Sequence, residues 1–308
     1  MRILRGNPAA WKAGQRLAVA VGVFDGVHGG HRRVLEALGE GAAELGIVPA
    51  VLTFDPHPLA LVAPHMAPRM LTTIEQRIEL FDAAGVELVA VLAFNDSVRA
   101  MSARRFVADI LVARLEAALV VAGEDFRFGE GRKGDAALLR RLGDEMGFES
   151  QVVTLVGGND PTSSTRIRDS IVAGDVAAAA QLLGRPFELR GTVVPGEGRG
   201  ADTGVATANV SVPEPSVIPR HGVYAARAGV AELVPAVVNI GVRPTFGPGA
   251  ETVEVHLIDR SLDLKGREVR IAFVDWIRDE RVFDNVQALA AQIKIDIDTA
   301  RRMFERTP

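Results

Sequence analysis

No cysteine occurs in the 308 residues. That excludes a disulfide framework, a thiol nucleophile and a Cys-ligated metal, and it fits a reducing compartment such as the cytoplasm. No apolar run is long enough to span a bilayer, and the opening residues Met1-Arg-Ile-Leu-Arg-Gly6 lack the apolar core of a secretion signal. Membrane partners are therefore not expected. A surplus of positive charge is missing too: 35 Lys and Arg stand against 39 Asp and Glu, for a formal net charge of −4. General nucleic-acid binding needs a basic face, so that class is also set aside. What is present, 48% hydrophobic and 24% charged residues, describes an ordinary globular chain long enough for two domains.

Up to about residue 183 the pattern alternates between continuous apolar runs and amphipathic segments. Strands are predicted at 17–24, 47–54, 86–94, 118–122 and 151–155. Helices are predicted at 31–45, 73–84, 103–116, 136–146, 165–173 and 177–183. Apolar runs of this kind suit a parallel, doubly wound α/β sheet covered on both faces, with ligands beyond the carboxyl ends of its strands. After Gly184-Arg-Pro186 short period-two strands take over, at 187–194, 223–228, 234–240, 252–258 and 268–276, separated by glycine and proline clusters. They predict a small antiparallel β-barrel, closed by a helix over 285–305. The chain thus divides into 1–184 and 185–308.

The most informative stretch is Gly22-Val-Phe-Asp-Gly-Val-His-Gly-Gly-His31. It joins a buried strand to a helix start, where glycine permits close backbone approach and free N–H groups hold phosphate. His28 and His31 are three apart, so both can face one ligand and donate to a phosphoryl oxygen. The loop Phe54-Asp-Pro-His57-Pro58 ends the second strand with a histidine between two φ-fixing prolines. Gly123-Glu-Asp125-Phe126-Arg-Phe128-Gly129 follows the fourth predicted strand and offers two rings and a carboxylate. Ser163-Ser164-Thr165-Arg-Ile-Arg168 opens a helix; its hydroxyls are ordinary N-caps and also suit a polyphosphate.

Together these four elements resemble the FAD synthetase module of the prokaryotic bifunctional riboflavin kinase/FAD synthetases, a branch of the HxGH nucleotidyltransferase superfamily. The resemblance implies a Rossmann-like fold and adenylyl transfer from ATP to FMN with release of pyrophosphate. His28 and His31 are the implied catalytic pair. Gly22, Phe24, Asp25, Gly26, His57, Asp125, Phe126, Phe128, Ser164, Thr165 and Arg168 are implied to bind ATP and FMN.

The second half carries matching elements of the riboflavin kinase module. A glycine-rich loop supplies Gly196, Gly198, Arg199 and Gly200. Gly204-Val-Ala-Thr207-Ala-Asn209 resembles a family element whose Thr and Asn hold Mg²⁺ and phosphate, so Thr207 and Asn209 are the implied metal ligands. Here Ala206 replaces the family proline, and Ala201-Asp-Thr203 also departs from the pattern. Asn239 and Arg243 lie in another matching element, and Arg278 in a flavin-contacting one. In Val253-Glu254-Val-His256-Leu257 the strand period puts Glu254 on the face opposite the valines. The resemblance makes it the base for riboflavin phosphorylation.

The expectation is a cytoplasmic bifunctional enzyme with substrates ATP, riboflavin and FMN, Mg²⁺ in both steps, and no nucleic acid or membrane partner; a homo-oligomer is compatible with it. Two alternatives stand beside it. The departures at 201–206 suit an adenylyltransferase with a degenerate kinase domain, and a flavin- and nucleotide-sensing regulator would need no turnover.

Overall fold

The computed structural model describes residues 1–154, 162–195, 206–242, 251–260 and 264–306. They form two compact units, Met1–Pro68 with Thr72–Ser163 and Arg69–Leu71 with Ser164–Pro308.

The first unit is a six-stranded, all-parallel sheet. Its strands are β1 (Arg2–Leu4), β2 (Leu17–Val21), β3 (Val48–Phe54), β4 (Leu88–Leu92), β5 (Ala117–Gly123) and β6 (Glu149–Val153), in the order β1-β4-β3-β2-β5-β6. Every residue of β2 and β4 is buried, as a sheet covered on both faces requires. Helix α1 (Gly29–Leu45) lies against β5 so closely that a β-carbon on Gly41 would meet Leu119 at 2.4 Å. It ends on Gly46 in the left-handed conformation. After α2 (Pro58–Val62) comes α3 (Ile74–Ala83), which starts on a Thr73–Gln76 capping box and buries Ile74, Arg77, Ile78 and Phe81. The predicted helix 103–116 is instead α4's successor in pieces: after α4 (Asp96–Arg99), α5 (Ala103–Phe106) runs into a π-helical turn, Val107–Val112. Helix α6 (Ala136–Met146) follows the prediction. The order of strands reverses direction between β2 and β5, which makes the crevice at their carboxyl ends the expected ligand position.

The second unit is a closed antiparallel barrel. Its strands are β7 (Glu188–Val194), β8 (Ala208–Ser211), β9 (Gly222–Gly229), β10 (Val234–Val242), β11 (Glu251–Leu257) and β12 (Glu268–Arg278), in the order β10-β11-β8-β7-β12-β9. Helices α7 (Ser164–Ala173) and α8 (Val176–Leu183), placed in the first module by the sequence division, bury Ile167, Ile171, Val176, Ala179 and Leu183 with Phe187, Tyr224 and Phe273 of this unit. Helix α9 (Val286–Arg306) packs Ile297, Ala300, Met303 and Phe304 on the outer barrel face formed by Val223, Ala225 and Val237. Val286 in its first turn is exposed, and the inner side of the helix carries buried Asp296.

Candidate functional sites

Three of the four N-terminal motifs follow β3, β2 and β5, which are neighbours in the sheet, so their loops share one carboxyl edge. The turn after β2 is tightly wound. Phe24, Gly26 and Val27 all have positive φ, at 55°, 82° and 40°. A β-branched residue there is a genuine outlier, and such conformations persist only where surroundings hold them. The surroundings are on view: Asp25 is buried and its Oδ1 accepts from the backbone N–H and the hydroxyl of Thr72, both at 3.1 Å. Thr72 Oγ1 in turn accepts from Gly26 N–H at 2.9 Å. Asp25 and Gly26, expected to touch nucleotide, therefore shape the turn.

His28 sits at the N-cap of α1 and His31 in its first turn. Their rings stack with centroids 3.8 Å apart and 22° between planes. Phe24, wedged between Phe81 and His31, presents its ring edge-on to His31 at 5.2 Å. Burial, then the neighbouring His28, then Arg77 hold His31 well below the ordinary imidazole range. His31 is thus kept neutral beside the backbone amides of a helix start, the arrangement that receives a phosphate.

His57 caps α2: its Nδ1 accepts from Leu59 N–H at 3.1 Å, which leaves the proton of the neutral ring on Nε2. In the loop after β5, Phe128 is buried in the core against Phe106, while Phe126 stacks on it at 5.2 Å and stays half-buried. Asp125 is exposed beside them. Phe126 is the ring offered outward and Phe128 its support. Gly22 continues the β2–β3 ladder by donating to Leu52 O at 3.1 Å.

In the barrel the strand register lines up three expected residues. Glu254 of β11 faces Asn209 of β8 on one side and Asn239 of β10 on the other. The row runs on through Val223 to Arg278 of β12. Val253, Val255 and Leu257 are buried in the barrel core, so Glu254 and His256 point away from it. His256 Nδ1 lies 2.8 Å from the carbonyl of Ala206, fixing the chain just before Thr207, which is exposed. Arg278 is engaged at the far end of the row: its Nε and Nη2 reach Asp296 of α9 at 2.9 and 2.7 Å, and Gln292 also donates to that carboxylate.

A FAD synthetase family profile matches residues 11–166, and a riboflavin kinase profile matches residues 183–304. The bifunctional riboflavin kinase/FMN adenylyltransferase of Escherichia coli (strain K12) is 38% identical over 311 residues, covering 100% of this chain and 99% of its own. This chain belongs to that family. The Bacillus subtilis (strain 168) member is 34% identical over 291 residues, covering 93% of this chain and 92% of the relative. A solved structure described as a macrolide-efflux protein from Streptococcus pneumoniae superposes with a TM-score of 0.86 at 29% identity, covering 98% and 99% of the two chains. No helix among the described residues is long and apolar enough to cross a membrane.

Within this bifunctional family's first profile fall the two histidines, the motif loops after β3 and β5, and Ser164 and Thr165 at the start of α7. Arg168, one turn on, donates from Nε to the carbonyl of Arg69 at 2.7 Å. Gly196, Gly198, Arg199, Gly200 and Arg243 lie outside the described residues. Sequence reasoning missed Arg77, buried with 2% of its surface exposed, although α3 shows a signal: an arginine interrupts the apolar spacing Ile74, Ile78, Phe81.

Proposed function

We propose that the chain makes FAD in two steps. The barrel module, 185–308, phosphorylates riboflavin to FMN with ATP, and the 1–184 module adenylylates FMN to FAD. The observation that carries this reading is the stacked His28–His31 pair at the start of α1, answered in the barrel by the Asn209–Glu254–Asn239 row. The profile boundary at 183 supports the functional division, although α7 and α8 pack with the barrel.

In the first module a phosphate oxygen of FMN attacks the α-phosphorus of ATP, and the bond to the pyrophosphate oxygen breaks. No covalent enzyme intermediate is required, so alignment and charge stabilisation do the work. His28 and His31 donate N–H groups to the phosphoryl oxygens of the transition state and leaving group. Phe126 offers its ring face to a planar ligand, and His57 donates from Nε2; the family resemblance, not the geometry, assigns Ser164, Thr165 and Arg168 to the pyrophosphate portion.

In the barrel Glu254 accepts the proton of the riboflavin ribityl hydroxyl as its oxygen attacks the γ-phosphorus of ATP, and ADP leaves. Asn209, opposite this carboxylate in the register, and Thr207, two residues before it, supply the hard oxygen ligands that suit Mg²⁺, with substrate phosphates completing its shell. They would hold the ion, which when bound offsets phosphate charge. A cytoplasmic location fits the cysteine-free composition and the ATP both steps consume.

The test is to incubate the purified chain with riboflavin, ATP and Mg²⁺ and separate the flavins. FMN followed by FAD and pyrophosphate is expected, with both steps stopped by a chelator. FAD from supplied FMN but none from riboflavin would mean a degenerate kinase, and flavin binding with no product would mean a sensor.

A further inference from the structure

We propose that Arg77 is a positioning residue for adenylyl transfer, its guanidinium tying the backbone of the His28–His31 turn to that of the Phe54–Pro58 loop. The inference rests on the adenylyl-transfer reading and adds to it a residue in no motif.

The need arises where the sheet ends. The β2–β3 ladder closes with Val21 beside Leu52 and the bond from Gly22 N–H to Leu52 O. Beyond it the two chains part, and Asp55 N–H turns to Leu92 of β4 instead. The carbonyls of Val23 and Phe54 are left at the mouth of the site. Arg77 Nη1 reaches both, at 2.8 and 3.2 Å, and the hydroxyl of Thr53 at 3.1 Å. Thr53 Oγ1 itself donates to Val23 O at 3.0 Å, so one guanidinium and one hydroxyl bridge the gap. The bridge is anchored immediately before Phe24, whose ring edge meets His31, and immediately before Asp55, which leads to His57.

A purely structural role explains this poorly. Arg77 is buried on the same helix as Ile74, Ile78 and Phe81, where an apolar side chain would not desolvate a charge. Its buried Nε has no hydrogen-bond partner among the described residues, so the burial is not repaid at that atom. Burial pulls the guanidinium below its ordinary range, while Asp25, Asp55 and Glu75 pull the other way. The same charge helps keep His31 neutral. The charged groups that act on His31 are His28 and Arg77, and those that act on Arg77 are Asp25 in the turn, Glu75 on α3 and Asp55 beyond β3.

The test compares Arg77→Met, Arg77→Lys and Thr53→Val in the full chain, with riboflavin phosphorylation as the internal measure of a folded protein. For Arg77→Met, kcat for FAD formation from FMN should fall about tenfold to a hundredfold while KM for ATP and FMN stays within about threefold. Its acid limb should move to higher pH, because His31 then takes a proton more readily. Lysine keeps the charge and three donors, so Arg77→Lys should recover most of the rate and restore the limb. An unchanged kcat, a loss confined to KM, or a lysine variant no better than methionine with the limb unmoved would overturn the proposal. Should Arg77→Met not fold, Thr53→Val decides: a severalfold drop in kcat supports the bridge and a wild-type kcat refutes it. An unsubstituted chain that forms no FAD from FMN and ATP would instead strike the adenylyl-transfer reading itself.

Discussion

Two imidazoles stacked 3.8 Å apart cannot both accept a proton cheaply, and that constraint defines the first site. Replacing one removes a donor to the developing phosphoryl charge. For His28→Ala we expect FAD formation to fall on the order of a hundredfold to a thousandfold, as for loss of one preorganised donor. Riboflavin phosphorylation should continue at its normal rate, and separate assays of the two steps check both halves. The converse holds for Glu254→Gln: the kinase step should fall by roughly a hundredfold to ten-thousandfold, the range for a lost general base. Adenylylation of supplied FMN should persist, and an unaltered kinase rate would remove Glu254 from the role of base. The histidines and Glu254 were legible because their motifs are local in sequence. Arg77 and Thr53 were not, because the bridge they make joins residues 23–30 apart or more across three elements and carries no local spacing.

Elements were legible where one face is continuously apolar, and lost where the pattern is short or mixed. Strand β1 has only three residues, with two exposed, and was not foreseen; neither was β8, four residues next to a glycine-rich stretch. The stretch 103–116 has helical periodicity, but a π-turn interrupts it over Val107–Val112, which apolar spacing cannot distinguish from regular helix. The closing helix over 285–305 was read from its apolar spacing, which says nothing of buried Asp296. That carboxylate receives two charged hydrogen bonds from Arg278, and both side chains are largely buried. Removing one member leaves the other charge buried, so Asp296→Leu should cost about 3–5 kcal/mol, measured by denaturant unfolding. The doubly substituted chain, with Arg278→Met added, should recover much of the loss.

At the scale of the molecule, chemistry and packing divide the chain at different points. The riboflavin kinase profile starts at 183, whereas the barrel's own compact unit begins at Ser164. Ile167, Ile171, Val176 and Leu183 of α7 and α8 are buried in that unit, each worth about 1.5–3 kcal/mol when fully removed from water. A 164–308 fragment should therefore melt well above a 185–308 fragment, and equal melting temperatures would discount those helices. Loop composition pointed to the linker at 184–186; it could not reveal which neighbour the preceding helices favour. The units should also differ in acid. His31 in the folded first unit has its affinity for protons lowered, so the unfolded chain binds more of them once pH drops below about 6.5, the ordinary imidazole value. Stability there is complete above that pH and declines below it, toward the lower folded value. Glu188, held down by hydrogen bonds from Arg270 and Arg190 that outweigh its burial, makes a contribution present above 4.5 and lost below it. Calorimetry between pH 7 and pH 4 should show the first unit softening earlier.

The closed ring of the barrel and the open parallel sheet leave the chain exposed to association in different ways. A barrel presents no unpaired strand, whereas the sheet ends on β1 and β6. Both ends are poor templates for a foreign strand: β1 is three residues long and begins with a charge, and β6 opens Glu149-Ser-Gln151 with its outer positions solvated. Protection against fibrous self-assembly thus falls to a handful of polar side chains at two borders. Exchanging Glu149 and Gln151 for valine would strip one border bare, and turbidity on prolonged incubation should register the difference.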